Sequence, residues 1–198
     1  MKQNGIITKV IENKKIFFID DKYFCHFNKV DFSPKEGDHV MYIPHSTSEG
    51  KLEAKEVKRL KSDWDIYLES LENGYFDEEG KIKKEFVIDF PIILASIFSK
   101  ERGKDLNKPT QIMKWFSYCK NVEGIYKLKK DFGEVKVSLW KLISYSNDAL
   151  GRKKISEKFQ LFLYKNINLA TLNPNNFLKG FMQHFEAFIG FFRNKKGE

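Results

Sequence analysis

The first sixty residues alternate hydrophobic and polar positions in short runs, a pattern that is typical of β-strands. Turn residues such as Asp20-Asp21 and Glu49-Gly50 separate the runs. The pattern predicts five strands, at residues 6–11, 16–20, 23–27, 39–44 and 53–60. Five short strands within so few residues predict a small β-barrel in residues 1–60.

The hydrophobic period becomes helical from about residue 89 onward. Apolar side chains at 112, 115, 116 and 119 are spaced i, i+3, i+4 and i+7 behind Pro109, which suits the first position of a helix. Further helices are predicted over 89–99, 135–143, 155–163 and 177–192, the last opened by Asn173 as its cap and Pro174 as its first residue. These five helices predict a two-domain β + α protein with an all-α bundle in residues 85–198.

Residues 61–84 join the two patterns. Glu72-Asn73-Gly74 and Asp77-Glu78-Glu79-Gly80 are typical of turns, and residues 63–71 are compatible with one short helix. We therefore predict an acidic, solvated connector between the barrel and the bundle.

Charge is distributed unevenly along the chain. The formal net charge of +8 divides into +2 for residues 1–60, −4 for 61–106 and +10 for 107–198, where 17 side chains are basic and 7 acidic. A basic part behind an acidic connector is the arrangement expected if that part meets a polyanion such as RNA. The alternative is a lysine-rich composition with no such partner.

Other features narrow the class of protein. Cys25 and Cys119 lie far apart, and no second Cys or His stands at metal-ligand spacing, so we expect neither a disulfide nor a metal site. The first residues lack an apolar signal core, and no stretch approaches the roughly 20 apolar residues of a membrane span. We therefore expect a cytoplasmic protein that needs no cofactor and contacts no membrane.

Aromatic residues are concentrated in two runs of the barrel region, Lys14-Lys15-Ile16-Phe17-Phe18-Ile19 and Tyr23-Phe24-Cys25-His26-Phe27. With Gly5-Ile6-Ile7-Thr8-Lys9 and Glu36-Gly37-Asp38-His39-Val40 they follow the order of motifs in cold-shock domains, which residues 4–60 resemble. Those domains are five-stranded OB-type barrels that bind single-stranded RNA or DNA. The resemblance implies base stacking or support by Phe18, Phe24, His26 and Phe27, and phosphate contacts by Lys9, Lys14 and Lys15.

The barrel region departs from that family at three rings. Lys9-Val10-Ile11-Glu12 stands in place of Lys-Trp-Phe-Asn, and Lys14-Lys15-Ile16-Phe17-Phe18 in place of Lys-Gly-Phe-Gly-Phe. Because each stacked base contributes roughly 1–3 kcal/mol, three aliphatic replacements weaken binding by the barrel alone. Two interpretations stay open, residual single-strand binding and a barrel that contacts protein.

The helical part resembles the small subunit of type III-A CRISPR effectors, which belongs to the Csm complex. The likeness covers residues 85–198 and rests on Leu106-Asn107-Lys108-Pro109-Thr110-Gln111-Ile112, on Leu142-Ile143-Ser144-Tyr145 followed by Ala149-Leu150-Gly151-Arg152, and on Phe177 to Phe192 with its His184-Phe185-Glu186-Ala187-Phe188 segment. The spacing from Tyr145 to Gly151 is longer than in the family, and Lys195-Lys196-Gly197-Glu198 echoes its Gly-Gly-Lys tail weakly.

The resemblance implies a five-helix bundle that lines up in several copies along RNA. Its implied partners are the CRISPR guide RNA, the target RNA, further copies of itself and other Csm subunits, including the backbone subunits and the large polymerase/nuclease subunit. Such a scaffold tracks the sugar-phosphate backbone without reading bases.

Arg152 is the first candidate contact in the bundle. If Gly151 precedes a helix start, the Arg152 guanidinium and helix amides converge on one phosphate; alternatively, Gly151 and Arg152 end one helix. The other bundle candidates are basic residues expected on polar faces: Lys114, Lys120, Lys136, Lys141, Lys153, Lys154, Lys179 and Arg193. The phenylalanines of the last helix are expected to be core.

We expect a non-catalytic protein, because no nucleotide-binding glycine loop or hydrolase motif is present. The one enzyme hypothesis is a metal-independent ribonuclease in which His39 and His45 approach each other across a barrel end and act as acid and base. The leading expectation is a structural RNA-binding subunit of a type III-A interference complex. The alternative is a cold-shock-like chaperone that acts alone on single-stranded RNA.

Overall fold

The computed structural model describes residues 1–101, 103 and 106–194, which form two compact units. The first unit is Met1–Ile66, and the second begins at Tyr67. Lys195 and Lys196, two of the tail residues noted above, lie outside the described residues, as do Gly197 and Glu198.

Five strands close into a barrel in the first unit. They are β1 (Gln3–Ile11), β2 (Ile16–Ile19), β3 (Tyr23–His26), β4 (His39–Ser46) and β5 (Leu52–Arg59). Their order around the barrel is β1-β2-β3-β5-β4, and β4 pairs with β1 to complete the circle. All pairs are antiparallel except β3 with β5. The predicted five-stranded barrel is confirmed.

Alternation along the strands sends one set of side chains into the barrel. Phe17 and Ile19 of β2 and Cys25 of β3 are buried there, and the residues between them point outward. The other buried members of this core are Ile7, Val40, Tyr42, Ala54 and Val57. Burial raises the pKa of the Cys25 thiol to about 11, so this cysteine stays protonated near neutral pH.

The second part of the chain is helical. Among the described residues, six helices have ten residues or more: α1 (Asp63–Glu72), α3 (Asp89–Lys100), α4 (Pro109–Lys129), α5 (Phe132–Gly151), α6 (Glu157–Ala170) and α7 (Met182–Asn194). A single turn, α2 (Lys84–Val87), precedes α3, and a π-helical turn, Asn176–Phe181, precedes α7. The predicted all-α region is confirmed, but its helix count exceeds the predicted five.

The extra helix explains that difference. The short helix predicted within the connector is α1, and its Tyr67 and Leu71 are buried, as is Tyr75 beyond its end. Tyr67 and Leu71 lie four residues apart, so one face of α1 packs into the helical core. The segment 61–84 therefore differs from the solvated connector that its turn residues and acidic charge suggest.

The core of the helical unit is built on phenylalanines. Phe177, Phe181, Phe185, Phe188 and Phe192 are all at most 1% exposed, as expected for the stripe on the last helix. Ring centroids of neighbouring members lie 5.4–6.0 Å apart from Phe181 to Phe192. These rings stabilise the bundle, and core packing accounts for their spacing.

A chain of hydrogen bonds crosses this aromatic core. The Tyr75 hydroxyl donates to Asn166 Oδ1 at 2.7 Å, and Asn166 Nδ2 donates to the Tyr67 hydroxyl oxygen at 2.7 Å. His184 Nδ1 donates to the Phe86 carbonyl at 2.6 Å, which leaves Nε2 to accept from the Tyr67 hydroxyl at 3.1 Å. Every partner is satisfied with His184 neutral, and burial lowers its pKa to about 4.

Candidate nucleic-acid interface

The outer surface of β2 and β3 carries the aromatic residues expected from the cold-shock resemblance. Phe18 pairs in register with Phe24, and Lys9 of β1 pairs with Phe18, so the three form a row across neighbouring strands. His26 stands two residues beyond Phe24, with ring centroids 5.7 Å apart and planes at 88°. Phe18 and Phe24 are half-buried, whereas Lys9 and His26 are exposed. We call Lys9, Phe18, Phe24 and His26 the barrel face.

The turn between β1 and β2 places two more predicted residues at the edge of the barrel face. Lys14 and Lys15 are exposed there, and Lys15 adopts a left-handed conformation with φ of 50°. Phe27 lies elsewhere, half-buried at 6.1 Å from the buried Phe17 ring, and it packs against the barrel core. Phe27 therefore supports the barrel and does not belong to the exposed row.

The acidic residue Glu53 borders the barrel face. Glu53 of β5 pairs with Phe24 across the parallel β3–β5 contact, and its carboxylate is ion-paired with Lys29. The hydrogen bond from Lys29 holds the pKa of Glu53 below its usual range. Lys29 thus compensates a negative charge that would otherwise repel a phosphate backbone.

A second surface lies in the helical unit, in a groove of about 410 Å³ between α4 and α5. Helix α4 contributes residues at i, i+3, i+4 and i+7, and α5 with the following loop contributes the opposite side. The lining residues are Gln111, Lys114, Trp115, Tyr118, Leu142, Tyr145, Ala149, Arg152, Lys154 and Ile155. We call this set the α4–α5 groove.

Three aromatic rings line the α4–α5 groove. Tyr118 and Tyr145 meet edge to face, with centroids 6.3 Å apart and planes at 85°. The Tyr118 hydroxyl donates to the Ser138 carbonyl at 3.1 Å, and burial raises the pKa of Tyr118. Tyr145 is 52% exposed, and Trp115 is half-buried. The hydrogen bond fixes one ring while the other two present open surface.

Three cations accompany these rings. Lys114 and Arg152 are exposed and Lys154 is half-buried, while Leu142, Ala149 and Ile155 are buried beneath them. The Arg152 guanidinium is ion-paired with Asp148, four residues earlier on α5. The groove thus has an apolar floor and a positively charged margin, and Asp148 lies beside that margin.

The end of α5 determines where Arg152 and Lys154 lie. The Lys153 amide donates to the Leu150 carbonyl and the Lys154 amide to the Ala149 carbonyl, and Lys153 has φ of 54°. This is the Schellman arrangement that ends a helix, with lysine where glycine is usual. Helix α6 starts only at Glu157, so the interpretation of Arg152 as part of a helix start is wrong, and the alternative that Gly151 and Arg152 end a helix fits.

Asn107 fixes the loop that follows. Its Nδ2 donates to Ser156 Oγ at 3.0 Å, and its Oδ1 accepts from the Ser156 amide at 2.9 Å. The Asn107 amide also donates to the Lys154 carbonyl at 3.0 Å. Asn107 is completely buried and has φ of 51°, a conformation that asparagine tolerates better than most residues. Loop 152–156 is therefore held on both sides of Ile155.

The same loop borders a second hollow of about 930 Å³, lined by Glu101, Leu106, Leu150, Arg152, Lys153, Lys154, Ile155, Ser156, Glu157 and Lys158. Arg152 and Lys154 line both hollows. The loop is a positively charged ridge, whose three cations Arg152, Lys153 and Lys154 are consecutive in sequence.

The remaining predicted bundle cations are spread over several helices. Lys120 is ion-paired with Glu123 at 3.0 Å and with Glu186 at 3.7 Å, and Lys136 lies 5.5 Å from the centroid of the Phe132 ring. Exposed side chains occur at Lys141 on α5, Lys179 on the π-helical turn and Arg193 on α7. Of the nine predicted bundle residues, the groove brings together Lys114, Arg152 and Lys154, with Lys153 beside them.

Sequence reasoning missed the aromatic half of the groove and the residue that fixes its loop. Trp115 belongs to the apolar period that predicts its helix, although its side chain is only half-buried. Tyr118 and Tyr145 carried a usable signal, because both are large aromatics at polar positions of otherwise amphipathic helices. Asn107 carried none, because its partner Ser156 lies 49 residues away.

The proposed histidine pair is not formed. His39 and His45 are six residues apart on the single strand β4, which separates them by roughly 20 Å at the usual rise per residue. Among the described residues, no three His, Cys, Asp or Glu side chains lie close enough together to hold a metal ion. None of the described helices combines the length and apolar character of a membrane span.

The two candidate surfaces share one chemistry, exposed rings beside lysine and arginine, on two different architectures. Single-stranded nucleic acids are bound by this combination of stacking and positive charge. Comparison of the chain with protein-family models, with curated proteins and with solved structures gives no match.

Proposed function

We propose that this protein is a non-catalytic RNA-binding subunit of a type III-A CRISPR interference complex. The observation that carries the RNA-binding half of this proposal is the α4–α5 groove, which gathers Lys114, Arg152 and Lys154 beside three aromatic rings. The likeness of residues 85–198 to the small subunit of the Csm complex carries the other half.

The charge of the helical unit supports contact with an RNA backbone. Basic side chains exceed acidic ones by ten in residues 107–198, and three cations of the ridge and groove lie within one loop, at 152–154. Lysine and arginine bind phosphates without regard to base sequence, as a scaffold along guide and target RNA requires.

The barrel is proposed as an OB-type accessory module. A closed five-stranded barrel with the order β1-β2-β3-β5-β4 supports this assignment, and OB folds bind oligonucleotides on the face of strands 2 and 3. That is where Phe18, Phe24 and His26 lie. In the complex the module contacts exposed single-stranded RNA or a neighbouring subunit.

A second candidate function is a cold-shock-like RNA chaperone that acts alone. The observation in its favour is the barrel face, where two half-buried phenylalanines, an exposed histidine and an exposed lysine form a surface suited to weak stacking. In this case the barrel is the main binding surface and the helical unit is an accessory.

Purification of the full chain from its native cells separates the two candidates. The eluate is analysed by mass spectrometry for protein and by sequencing for RNA. A complex subunit yields stoichiometric CRISPR proteins and guide-length RNAs with a common repeat-derived end. A chaperone yields the chain alone with heterogeneous RNA fragments, and that result overturns the first proposal.

A further inference from the structure

We infer that the α4–α5 groove binds an unpaired RNA base, in addition to the phosphates beside it. This inference deepens the proposed RNA-binding function and rests on it. The proposed function requires only sequence-independent contacts with the backbone, whereas the groove offers a binding site for a base.

The volume and the lining of the groove suit a nucleobase. About 410 Å³ falls within the roughly 300–1,000 Å³ of pockets that hold small ligands. Leu142, Ala149 and Ile155 form the buried apolar floor of the groove, and Trp115 and Tyr145 supply partly exposed rings. A flat, unpaired base stacks on such rings whatever its identity. A helix that only tracked phosphates would need lysines and no aromatic residues at these positions.

An unused hydrogen-bond acceptor lines the same groove. Gln111 Oε1 is buried and has no hydrogen-bond partner within the described chain. A buried acceptor without a partner is unfavourable in the free protein, and a ligand that donates to it removes that cost. The exocyclic amino groups of adenine, cytosine and guanine are donors of this kind, and the ring N–H of an unpaired uracil is another. The groove is therefore expected to accept a hydrogen bond from a bound base of any identity.

Cations stand where the phosphates of a bound nucleotide would follow. Arg152 and Lys154 line the groove at the end of α5. Lys114 lines it from α4, one helical turn before Tyr118. Asn107 holds the loop that carries Arg152 and Lys154 through three hydrogen bonds. The site is thus organised before RNA arrives, which lowers the entropic cost of binding.

The test measures the affinity of the full chain for a labelled uridine 15-mer, across a range of salt concentrations. Tyr145→Leu and Trp115→Leu each remove one ring and no charge. We expect affinity to fall about 5- to 150-fold, the effect of one stacked base, with an unchanged salt slope. Tyr164→Leu is the matched control, because Tyr164 is a 42% exposed tyrosine on α6 outside the groove.

A second measurement changes the RNA and leaves the protein intact. A fully abasic 15-mer has the same phosphates and no base, and adding one central adenosine to it raises the affinity by a similar factor if the base is bound. Gln111→Leu is expected to reduce that gain and to leave the affinity for the fully abasic 15-mer unchanged. Ultraviolet crosslinking then places the bound base on peptides that contain Trp115, Tyr118 or Tyr145.

The outcomes distinguish failure of the base site from failure of the proposed RNA-binding function. If the chain binds RNA, but the ring variants bind as tightly as the native chain, the single adenosine adds no affinity to the abasic 15-mer and no crosslink maps to these helices, the base site is refuted and backbone binding stands. If the native chain binds no RNA at any salt concentration, the base site and the proposed function fail together.

Discussion

Asn107 holds Ser156 through two side-chain hydrogen bonds, one donated to Ser156 Oγ at 3.0 Å and one accepted from the Ser156 amide at 2.9 Å. Ser156 in turn caps α6, accepting from the Phe159 amide at 3.3 Å. One buried side chain before α4 thereby positions both the loop with Arg152 and Lys154 and the start of the next helix. The charged side of the groove depends on this contact.

Replacing Asn107 by alanine is expected to lower the free energy of unfolding by about 1–3 kcal/mol, because two hydrogen bonds disappear and the amide of the half-buried Ser156 loses its acceptor. RNA affinity is expected to fall as well, since the loop is no longer fixed. Urea denaturation followed by circular dichroism measures the first effect. Asn147→Ala is the matched control: Asn147 is exposed and accepts one bond from Gln160, so a comparable loss there would contradict the special role of Asn107.

Lys153→Gly is expected to stabilise the protein by about 0.5–1 kcal/mol, because it relieves a left-handed lysine at the end of α5. The same change within a helix has the opposite sign, and Lys141→Gly on α5 is expected to cost about 1 kcal/mol. Thermal and urea unfolding of both variants measure the two signs. Destabilisation by Lys153→Gly would show that the Schellman ending is not formed in solution.

Gln111→Leu is expected to stabilise the free protein by about 1 kcal/mol, because it removes a buried acceptor that has no partner within the described chain. Gln160→Leu provides the comparison, since Gln160 already donates to Asn147 at 2.9 Å and gains nothing from the change. Chemical denaturation without RNA measures both. Equal effects of the two substitutions would indicate that Gln111 carries no such cost.

The stability of the helical unit is expected to depend on pH through His184. Its folded-state pKa of about 4 lies below the ordinary value of 6.5, so the unfolded chain binds this proton more readily. The contribution of neutral His184 to the free energy of unfolding is fully present above pH 6.5. The free energy of unfolding falls by about 3 kcal/mol as the pH drops to about 4. Denaturation at a series of pH values measures the slope. His184→Gln is expected to remove it, whereas the exposed His45→Gln is expected to leave it intact.

The strands and several helix ends were predictable because local chemistry determines them. Asn173 and Pro174 were predicted as cap and first residue, and Asn173 Oδ1 accepts from the Asn176 amide at 2.8 Å. The end of α5 was harder to predict from sequence, because the left-handed position is occupied by Lys153 and not by Gly151, two residues earlier. Trp115 fits the same helical period as a core residue, and only the packing of α5 against α4 determines that its ring stays partly open. Asn107 acts through a partner too distant in sequence for any local pattern to reveal.

The barrel carries both outward-facing and buried phenylalanines, and substitutions at the two kinds of position are expected to have different effects. Changing Phe18 and Phe24 together to leucine is expected to reduce any single-strand binding by the barrel while the barrel stays folded. Phe17→Ala is expected to cost about 3–5 kcal/mol, because that ring is fully buried in the barrel core. Near-ultraviolet circular dichroism reports folding, and filter binding reports RNA affinity. Unfolding of the double variant would mean that these two rings serve the barrel's stability instead.

The central claim is that RNA binds at the α4–α5 groove through Lys114, Arg152 and Lys154, and the salt dependence of affinity tests it most directly. The triple variant with glutamine at these positions is compared with a control that has glutamine at Lys81, Lys84 and Lys100, which are exposed and outside the groove. We expect weaker binding by the groove variant alone, with a slope of log affinity against log salt that is shallower by about 2. Equal affinity and equal slope for the two triple variants would contradict it.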